Sequence, residues 1–230
     1  MRLHTTDVLS LTALALTGCS TDSADSTDPT SPMIASVRPD GESAPASTPL
    51  SSAALAKRLL DESDLGEGYT RAPQRPAQHT DVTVIGCPAL EKPGSEVAVG
   101  GTLDFPHKAK ASFTYASGSD SLEVAEELYS DTAAKLSSGV SRIFDAMISC
   151  PTYQVFVGST SVDMGTEEMA APPLGDEQWS QLLTYSVGRQ RSVVQQTAIR
   201  IANGLVIVSG PPGVVDAHLA KAVDKAQRAW

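Results

Sequence analysis

The sequence predicts an α+β fold in which an antiparallel β-sheet packs against a few helices, preceded by a signal peptide and a disordered tether. Three observations support this prediction. Residues 53–230 contain several segments of alternating apolar residues, two of these segments are joined by an Asn-Gly turn, and the last segment has helical periodicity. Alternation with a period of two indicates strands, whereas apolar residues three and four positions apart indicate helices. Strands and helices grouped in this way are typical of α+β domains.

The composition limits the class of partner. The 230 residues include 17 Lys and Arg against 27 Asp and Glu, so the formal net charge is -10. With 41% hydrophobic residues, the chain has enough apolar side chains for a buried core. The negative charge argues against a nucleic-acid partner, because phosphate binding needs clustered cations. The aromatic content of 5% predicts no extended stacking surface for bases or sugars.

Residues 1–18 are predicted to be a lipoprotein signal peptide. Arg2 is followed by an apolar run from Val8 to Leu16, which has the length of a signal-peptide core and is too short to span a bilayer. The run leads into Thr17-Gly18-Cys19, which resembles the bacterial lipobox. The resemblance implies that Cys19 is acylated and anchors the protein in the cell membrane, on its extracytoplasmic face. The alternative is a buried amphipathic helix with an incidental cysteine.

Residues 19–52 are predicted to be a disordered tether. The segment is rich in Ser, Thr, Asp and Pro and has almost no bulky apolar residue. Such a segment cannot offset the entropy lost on ordering. Its prolines favour an extended conformation, so the tether would hold residues 53–230 away from the membrane surface.

Two cysteines remain after Cys19, namely Cys87 and Cys150. An even number of cysteines in an exported protein favours a disulfide between them. The alternative is a pair of buried free thiols. A metal site is less favoured, because two cysteines without a nearby histidine supply too few ligands.

The first half of the predicted domain combines short elements with one long helix. Residues 53–60 are predicted to form a helix with Ser52 as its N-cap, and residues 81–85 and 110–116 are predicted to form strands. From Leu122 to Met147 the apolar residues follow helical spacing, which predicts a helix that is divided near Gly139.

The second half is predicted to consist mainly of strands, over residues 153–157, 179–187 and 193–202. Asn203-Gly204 predicts a two-residue type I′ hairpin that pairs Ala202 with Leu205 and Ile201 with Val206. Both faces of this hairpin are largely apolar, which indicates a central, covered position in the sheet. Residues 214–230 are predicted to form a closing helix with the following residues facing inward: Val215, Leu219, Val223 and Ala226.

The chain contains no catalytic signature. It has no metal-protease, nucleophile-elbow, phosphate-binding or dinucleotide-binding motif. His79, His107 and His218 are interpreted as surface residues. The adjacent Asp176 and Glu177 could form an acid-base couple, but the favoured interpretation is the start of a strand after a loop or the cap of a turn. The sequence therefore predicts no enzyme, no cofactor and no metal site.

Arg200 is the one candidate ligand-binding residue. It lies on a mostly apolar face of the predicted hairpin, where a buried guanidinium needs a partner. The favoured interpretation is an arginine paired within the protein. The alternative is an arginine that contacts an anion in a cleft.

The order of these features resembles a known family. A lipobox and polar tether are followed by a helix that leads to Gly68-Tyr69, a Cys-Pro loop at Cys87, and a strand and long helix that lead to Cys150. Leu174-Gly-Asp-Glu and the Asn-Gly hairpin come next. This arrangement is similar to actinobacterial lipoproteins related to the PknH-type extracellular sensor domain. The resemblance implies an α+β domain with a cleft for an extracellular ligand. The kinase version has two disulfides, whereas this chain can form one.

Two functions from different classes follow from this reading. The first is a non-catalytic, membrane-anchored module that binds an envelope ligand or acts as a sensor. The second is a cell-envelope hydrolase whose site is assembled without a motif. A protein-interaction scaffold is a third, weaker option. An apolar groove without a Ser-His-acid arrangement would favour binding over hydrolysis.

Overall fold

The computed structural model describes residues 48–73, 82–90, 103–117 and 120–228. The helices are α1 (Ser52–Ala56), α2 (Glu62–Leu65), α3 (Ala133–Ile148) and α4 (Pro212–Gln227), with a short 3₁₀ helix at Pro88–Leu90. The strands are β1 (Tyr69–Arg71), β2 (Val82–Ile85), β3 (His107–Ser117), β4 (Asp120–Ser130), β5 (Thr152–Val157), β6 (Thr160–Glu168), β7 (Glu177–Val187), β8 (Gln190–Ile201) and β9 (Gly204–Gly210). The predicted signal peptide and Cys19 lie outside the described residues, as does most of the predicted tether.

The described strands form one antiparallel sheet of nine strands in the order β1-β3-β4-β9-β8-β7-β6-β5-β2. Hairpins join β3 to β4, β5 to β6, β7 to β8 and β8 to β9. Strands β8 and β9 lie in the middle, which confirms the predicted central hairpin. Together with the helices, this sheet confirms the predicted α+β fold.

Helices pack on both faces of the sheet. On one side, here named the α4 face, α1 and α4 cover part of β3, β4, β9 and β8. On the other, named the α3 face, α3 lies across β9, β8, β7 and β6. Each face therefore has its own apolar core, one built around Leu128, Ile199 and Val208 and one around Tyr129, Phe144 and Ile207.

The closing helix α4 forms as predicted. Pro212 occupies its first turn, where a proline costs no helical hydrogen bond. Its buried residues, at helical spacing, are Val215, Leu219, Ala222, Val223 and Ala226. They include all four of the positions predicted to face inward. Burial of this stripe against β9 and β8 fixes α4 on the sheet.

The predicted helix from Leu122 was wrong in its first half. Residues 120–130 form β4, which is paired on one side with β3 and on the other with β9. Leu122, Val124 and Leu128 fit a strand period, whereas Leu122, Ala125, Leu128 and Tyr129 fit a helical one, so the local pattern cannot decide between them. The pairing with β3 and β9 stabilises the strand over the helix, because it supplies long-range backbone hydrogen bonds on both sides. Helix α3 starts at Ala133 and is continuous through Gly139.

The central hairpin has a different register from the predicted one. Ile201 pairs with Gly204 and Ile199 with Val206, so the two-residue loop is Ala202-Asn203. Ala202 takes the positive φ of 47°. The predicted pairing was displaced by two residues on β8. A shift by two keeps every side chain on its face, so the predicted division of the apolar residues between the two faces is confirmed.

The folded part begins before the predicted boundary at residue 53. Ser51, rather than Ser52, caps α1, and the amide of Leu50 donates a hydrogen bond of 2.9 Å to Ser130 Oγ on β4. Helix α2 and strand β1 follow where the sequence predicted an irregular segment. Asp61 caps α2 and completes a capping box with Asp64, a signal that the sequence already carried.

Cys87 and Cys150 form the predicted disulfide, with 5.6 Å between their Cα atoms. The bond joins the end of the β2 segment to the end of α3, and both sulfur-bearing residues are buried in the core of the α3 face. Within the residues that the structure describes, no helix has the length and apolar composition needed to cross a bilayer.

Candidate functional site

A small cavity lies between α3 and the sheet, and it is here named the α3 cavity. Its apolar lining consists of Leu103, Val140, Ile143, Phe144 and Ile207. Its polar lining consists of Glu127 on β4 and Gln196 on β8. The free volume is about 10 Å³, which is the room that one water molecule needs. A larger ligand therefore requires part of the lining to move.

The segment that precedes β3 forms one wall of the α3 cavity through Leu103. The ring of Phe105 leans on α3 at Gly139, where an added Cβ would lie 2.7 Å from the ring. The same ring meets Tyr129 edge to face, with 5.6 Å between centroids. Leu103–Phe105 lies outside the strand ladders and is held by these ring contacts and by hydrogen bonds at the Leu103 backbone.

The polar end of the α3 cavity is a chain of three side chains. Lys110 Nζ lies 2.6 Å from Glu127 Oε1, and the Tyr129 hydroxyl donates to Glu127 Oε2. The Tyr129 oxygen in turn accepts a hydrogen bond of 3.0 Å from the amide of Leu103. The lysine is 37% exposed at its side chain, whereas Tyr129 is fully buried. The chain thus runs from the protein surface to the segment beside the cavity.

Burial raises the pKa of Tyr129 well above its usual range, and the neighbouring Glu127 carboxylate raises it further. The phenol therefore stays protonated at physiological pH and acts as a hydrogen-bond donor. Glu127 is the acceptor for both Lys110 and Tyr129. Both members of the Tyr129–Glu127 pair are buried, and the pair reaches the surface through Lys110.

A second pair of polar side chains lies on the α3 face of the sheet, on β7 and β8. Gln181 on β7 is fully buried and donates 2.9 Å to Gln196 Oε1, and also contacts Met147 on α3. Gln181 Oε1 has no hydrogen-bond partner among the described residues. A buried acceptor without a partner costs roughly 1–3 kcal/mol, so it marks a place where a donor from a ligand or a water would bind.

None of these residues was predicted from the sequence to belong to a site. Glu126 and Glu127 lie in the region that was predicted to be a helix, and Gln181 in a predicted strand. Had residues 120–130 been assigned to a strand, the burial of both adjacent glutamates could have been predicted. Adjacent glutamates in a strand point to opposite faces, and in a sheet covered on both faces both of them are then close to a core.

Glu126 is the buried carboxyl of the α4 face. It is 1% exposed, and its Oε2 accepts a hydrogen bond of 2.5 Å from the amide of Leu60. Its Oε1 has no partner among the described residues. Burial raises the pKa of Glu126 to about 8, against the ordinary value of 4.5. The neutral acid is therefore the favoured form near pH 7.

An ion-pair cluster lies close to Glu126. Lys225 on α4 is 2.8 Å from Asp61 and also binds Asp64, and Lys221 is 3.4 Å from Asp64. The hydrogen bond from Lys225 lowers the pKa of Asp61. These ion pairs connect α2 to α4 close to the buried Glu126.

The structure gives Arg200 partners within the protein. Its Nε lies 2.9 Å from Glu177 and its NH1 lies 3.1 Å from Asp176, with a further bond of 3.0 Å to the carbonyl of Ala202. Arg200 is 9% exposed and lies on the α3 face with Ala198 and Leu205. Glu177 starts β7, as the sequence predicted. A role of Arg200 in binding a ligand stays a prediction.

We expect Arg200→Ala to lower the free energy of unfolding by about 1–3 kcal/mol, because it leaves two carboxylates without their shared cation. The pKa of Glu177, which the hydrogen bond from Arg200 lowers, should rise. Urea unfolding at pH 7 measures the change, with Arg189→Ala on an exposed turn as the control. Equal stability of the two variants would contradict the structural role.

The two histidines that the structure describes, His107 and His218, do not line the α3 cavity. His79 lies outside the described residues, and His107 starts β3. His218, which was predicted to be a surface residue, is half-buried on α4, with its Nε2 3.2 Å from the Tyr69 hydroxyl. Among the described residues, no group of three His, Cys, Asp or Glu side chains is arranged to hold a metal ion.

The fold is similar to that of a solved extracellular domain. No family model and no curated protein sequence matches the chain. The extracellular domain of PknH from Mycobacterium tuberculosis matches with a TM-score of 0.59 and 17% identity, over 79% of this chain and 98% of that domain. An uncharacterised protein of Mycobacterium smegmatis, an Rv0999 ortholog, matches with a TM-score of 0.38 and 12% identity, over 72% and 92% of the two chains. The PknH likeness shows a shared fold and confirms the resemblance found in the sequence.

Proposed function

We propose that this protein is a non-catalytic ligand-binding or sensor-like module on the extracytoplasmic face of the cell membrane, anchored through acylated Cys19. The α3 cavity is the proposed ligand site. The observation that carries the proposal is the combination of an apolar wall on α3 with hydrogen-bond acceptors on the sheet, which is the composition of a small-molecule site. The similarity to an extracellular domain and the lipobox-like Thr17-Gly18-Cys19 support the location.

The hydrogen-bond acceptors near the cavity indicate which chemical groups a ligand would need. Glu127 and Gln196 are the polar side chains that line the cavity, and α3 offers apolar side chains. The buried Gln181, whose Oε1 has no partner among the described residues, lies next to the cavity and donates a hydrogen bond to Gln196. A ligand with hydrogen-bond donors at one end and an apolar body fits these groups. Its entry would displace the Leu103–Phe105 segment and break the hydrogen bond between Leu103 and Tyr129. Tyr129 also donates a hydrogen bond to Glu127, and Glu127 pairs with Lys110. The displacement would therefore change the contacts of Lys110 at the protein surface.

Co-purification tests the ligand site. We expect protein purified from membranes to carry a small molecule that native mass spectrometry detects. Gln196→Phe should remove that molecule, because a ring at this position fills the floor of the cavity. Gln178→Phe, on the exposed side of the neighbouring strand, should retain it. Protein that carries no molecule, or two variants that carry the same amount, would refute the site.

Fractionation tests the anchor separately. We expect the wild-type protein to sediment with membranes and Cys19→Ser to be released or to remain unprocessed, because acylation needs the thiol. Wild-type protein that is soluble, with an unmodified Cys19 in its mass spectrum, would refute the anchor and leave the ligand site unaffected.

A further inference from the structure

The ring of Phe105 occupies a position beside the α3 cavity that is here named the ring subsite. Its two walls are Gly139 on α3 and the ring of Tyr129. Phe105 itself is only partly buried, whereas Tyr129 is fully buried. Val140 follows Gly139 on α3 and lines the cavity, and so does Glu127, which accepts a hydrogen bond from Tyr129. The ring subsite therefore adjoins the α3 cavity.

Gly139 sets the shape of the ring subsite. An added Cβ at this position would lie 2.7 Å from Cζ and 3.2 Å from Cε1 of Phe105, so the ring takes the space that any other residue would fill. Gly139 is the only glycine of α3, and glycine inside a helix is less favourable than alanine. The bare helix backbone accepts a planar six-membered ring. A puckered ring is thicker and fits this gap less well.

Phe105 lies outside the strand ladders. It precedes β3, which starts at His107, and its amide donates a hydrogen bond of 3.0 Å to the carbonyl of Leu103. The backbone of Leu103 is bonded in turn to the side chains of Tyr129 and Lys108. Withdrawal of the Phe105 ring from the subsite therefore breaks no pairing within the sheet.

The charges around the ring subsite balance. Glu127 is paired with Lys110 at 2.6 Å, and the Tyr129 phenol donates to the same carboxylate. Asp104 and Lys108, which flank Phe105 in the sequence, are exposed and carry opposite charges. A carboxylate or an ammonium group in the subsite would be buried without a counter-ion of its own, which is costly. The subsite therefore favours an uncharged ring.

The adjoining cavity offers hydrogen-bond acceptors. Glu127 lines it on the side of β4, and Gln196 lines it on the side of β8. Gln196 accepts a hydrogen bond of 2.9 Å from the buried Gln181, whose own Oε1 has no partner among the described residues. Buried acceptors are stabilised when a donor reaches them. A ligand ring that carries a hydroxyl or an N–H group would supply such a donor.

We propose that Phe105 is a placeholder for the ligand, and that the ligand is an uncharged aromatic compound with a hydroxyl or N–H donor. Its ring replaces the Phe105 ring against Gly139 and Tyr129, and its donor points into the α3 cavity. This inference rests on the proposed ligand site and adds the chemical class of the ligand. In the empty protein Phe105 fills the ring subsite, so it competes with the ligand.

Equilibrium dialysis of radiolabelled phenol against the full chain in detergent tests the ligand class. Gln196→Phe fills the cavity and sets the background, so that uptake of phenol by micelles is subtracted. We expect saturable binding at millimolar concentration. Each competitor lacks one property of phenol: cyclohexanol lacks the planar ring, toluene lacks the donor, and benzoate and benzylammonium are charged. Each should compete about tenfold more weakly than unlabelled phenol, as for the loss of one favourable contact.

Two outcomes of this experiment would overturn the ligand class. The first is the absence of saturable phenol binding to the wild-type protein. The second is competition by cyclohexanol or by either ion that equals competition by phenol. A co-purified molecule that Gln196→Phe removes, but that is aliphatic or charged, would also overturn the ligand class while it supported the ligand site.

Substitutions of Phe105 test the placeholder role. Phe105→Leu and Phe105→Ala remove the competing ring, so both should bind phenol about tenfold more tightly than the wild type does. Phe105→Ala/Gly139→Leu should lose binding, because the new side chain fills the ring subsite. Phe156→Leu is the matched control, since Phe156 is partly buried on the opposite face of β5, and it should leave binding unchanged.

The variants also separate a natural subsite from an engineered one. Phenol binding by the Phe105 variants alone, with none by the wild type, would identify a cavity created by the substitution and overturn the proposal. Equal affinity of the wild type and Phe105→Leu would show that the Phe105 ring does not compete with the ligand, and would overturn the placeholder role.

Discussion

Replacement of Cys87 and Cys150 by alanine should lower the free energy of unfolding by about 4 kcal/mol. In the chain-entropy model, a crosslink across 63 residues removes that much conformational freedom from the unfolded chain. The loss is a large fraction of the 5–15 kcal/mol, roughly, by which domains are usually stable. The bond also attaches the β2 segment to α3, beside the residues that line the α3 cavity. We therefore expect the double variant to be close to unfolding at 37 °C.

Urea unfolding with and without dithiothreitol measures this effect. The wild-type protein should lose about 4 kcal/mol on reduction, and Cys87→Ala/Cys150→Ala should show the same low stability in both conditions. Cys19→Ser is the matched control, because it changes a cysteine outside the pair and should respond to reduction as the wild type does. A wild-type protein that is indifferent to reduction would show that the two sulfurs are not joined.

The sequence correctly predicted those elements whose local pattern of apolar residues fits only one type of secondary structure. The stripe from Val215 to Ala226 fits a helix and no strand, and the alternation in residues 179–202 fits strands. The region from Leu122 to Leu128 fits both, and its structure is decided by pairing with β3 and β9, more than 70 residues away in the case of β9. Long-range pairing of this kind leaves no local signal. The hairpin register was missed for a related reason, since Ala202 takes the positive φ that was expected at Asn203 or Gly204.

The candidate site was less predictable than the fold. Glu127, Tyr129, Gln181 and Gln196 come together because β4, β8 and β7 lie near one another in a sheet whose strand order differs from their order in the sequence. None of the four forms a motif with a neighbour in the chain. Arg200, in contrast, could be identified as a buried cation from the hairpin alone. Its partners Asp176 and Glu177 were not predicted, because the pairing of β7 with β8 brings them close to it.

Raising the pH from 5 to 9 should destabilise the wild-type protein by several kcal/mol, and Glu126→Gln should remove most of this loss. The folded-state pKa of Glu126 is about 8, above its ordinary 4.5, because burial disfavours the carboxylate. Between these two values the folded protein holds a proton that the unfolded chain releases. The stability is therefore complete below about pH 4.5 and declines as the pH rises through 8. At 1.4 kcal/mol per pH unit, roughly, the upper limit is about 5 kcal/mol.

The carboxyls and the lysine that surround Glu126 do not change protonation between pH 5 and 9. Asp61 and Asp64 lie on the α2 side, Lys225 on α4 and Arg71 on β1. The carboxyls of Asp61 and Asp64 have lowered pKa values, so the stability that they contribute is present above about pH 4 and is lost only under more acidic conditions. Lys225 has a raised pKa and stays charged up to pH 9. His218 on α4 also titrates in this window, and because burial lowers its pKa, its contribution to stability increases as the pH rises. That contribution is common to all variants, so the difference between wild type and Glu126→Gln is assigned to Glu126.

Urea unfolding at pH 5, 7 and 9 measures the effect, with three proteins in parallel. Glu126→Gln keeps the shape of the side chain and an acceptor for the Leu60 amide, so it should match the wild type at pH 5 and exceed it at pH 9. Glu123→Gln, on the exposed end of the same strand, should follow the wild type at each pH. Hydrogen exchange at the Leu60 amide adds a local readout, because ionised Glu126 draws water to the α4 face and loosens the segment that leads into α2. Parallel pH profiles for wild type and Glu126→Gln would show that this carboxyl is not held as a buried neutral acid.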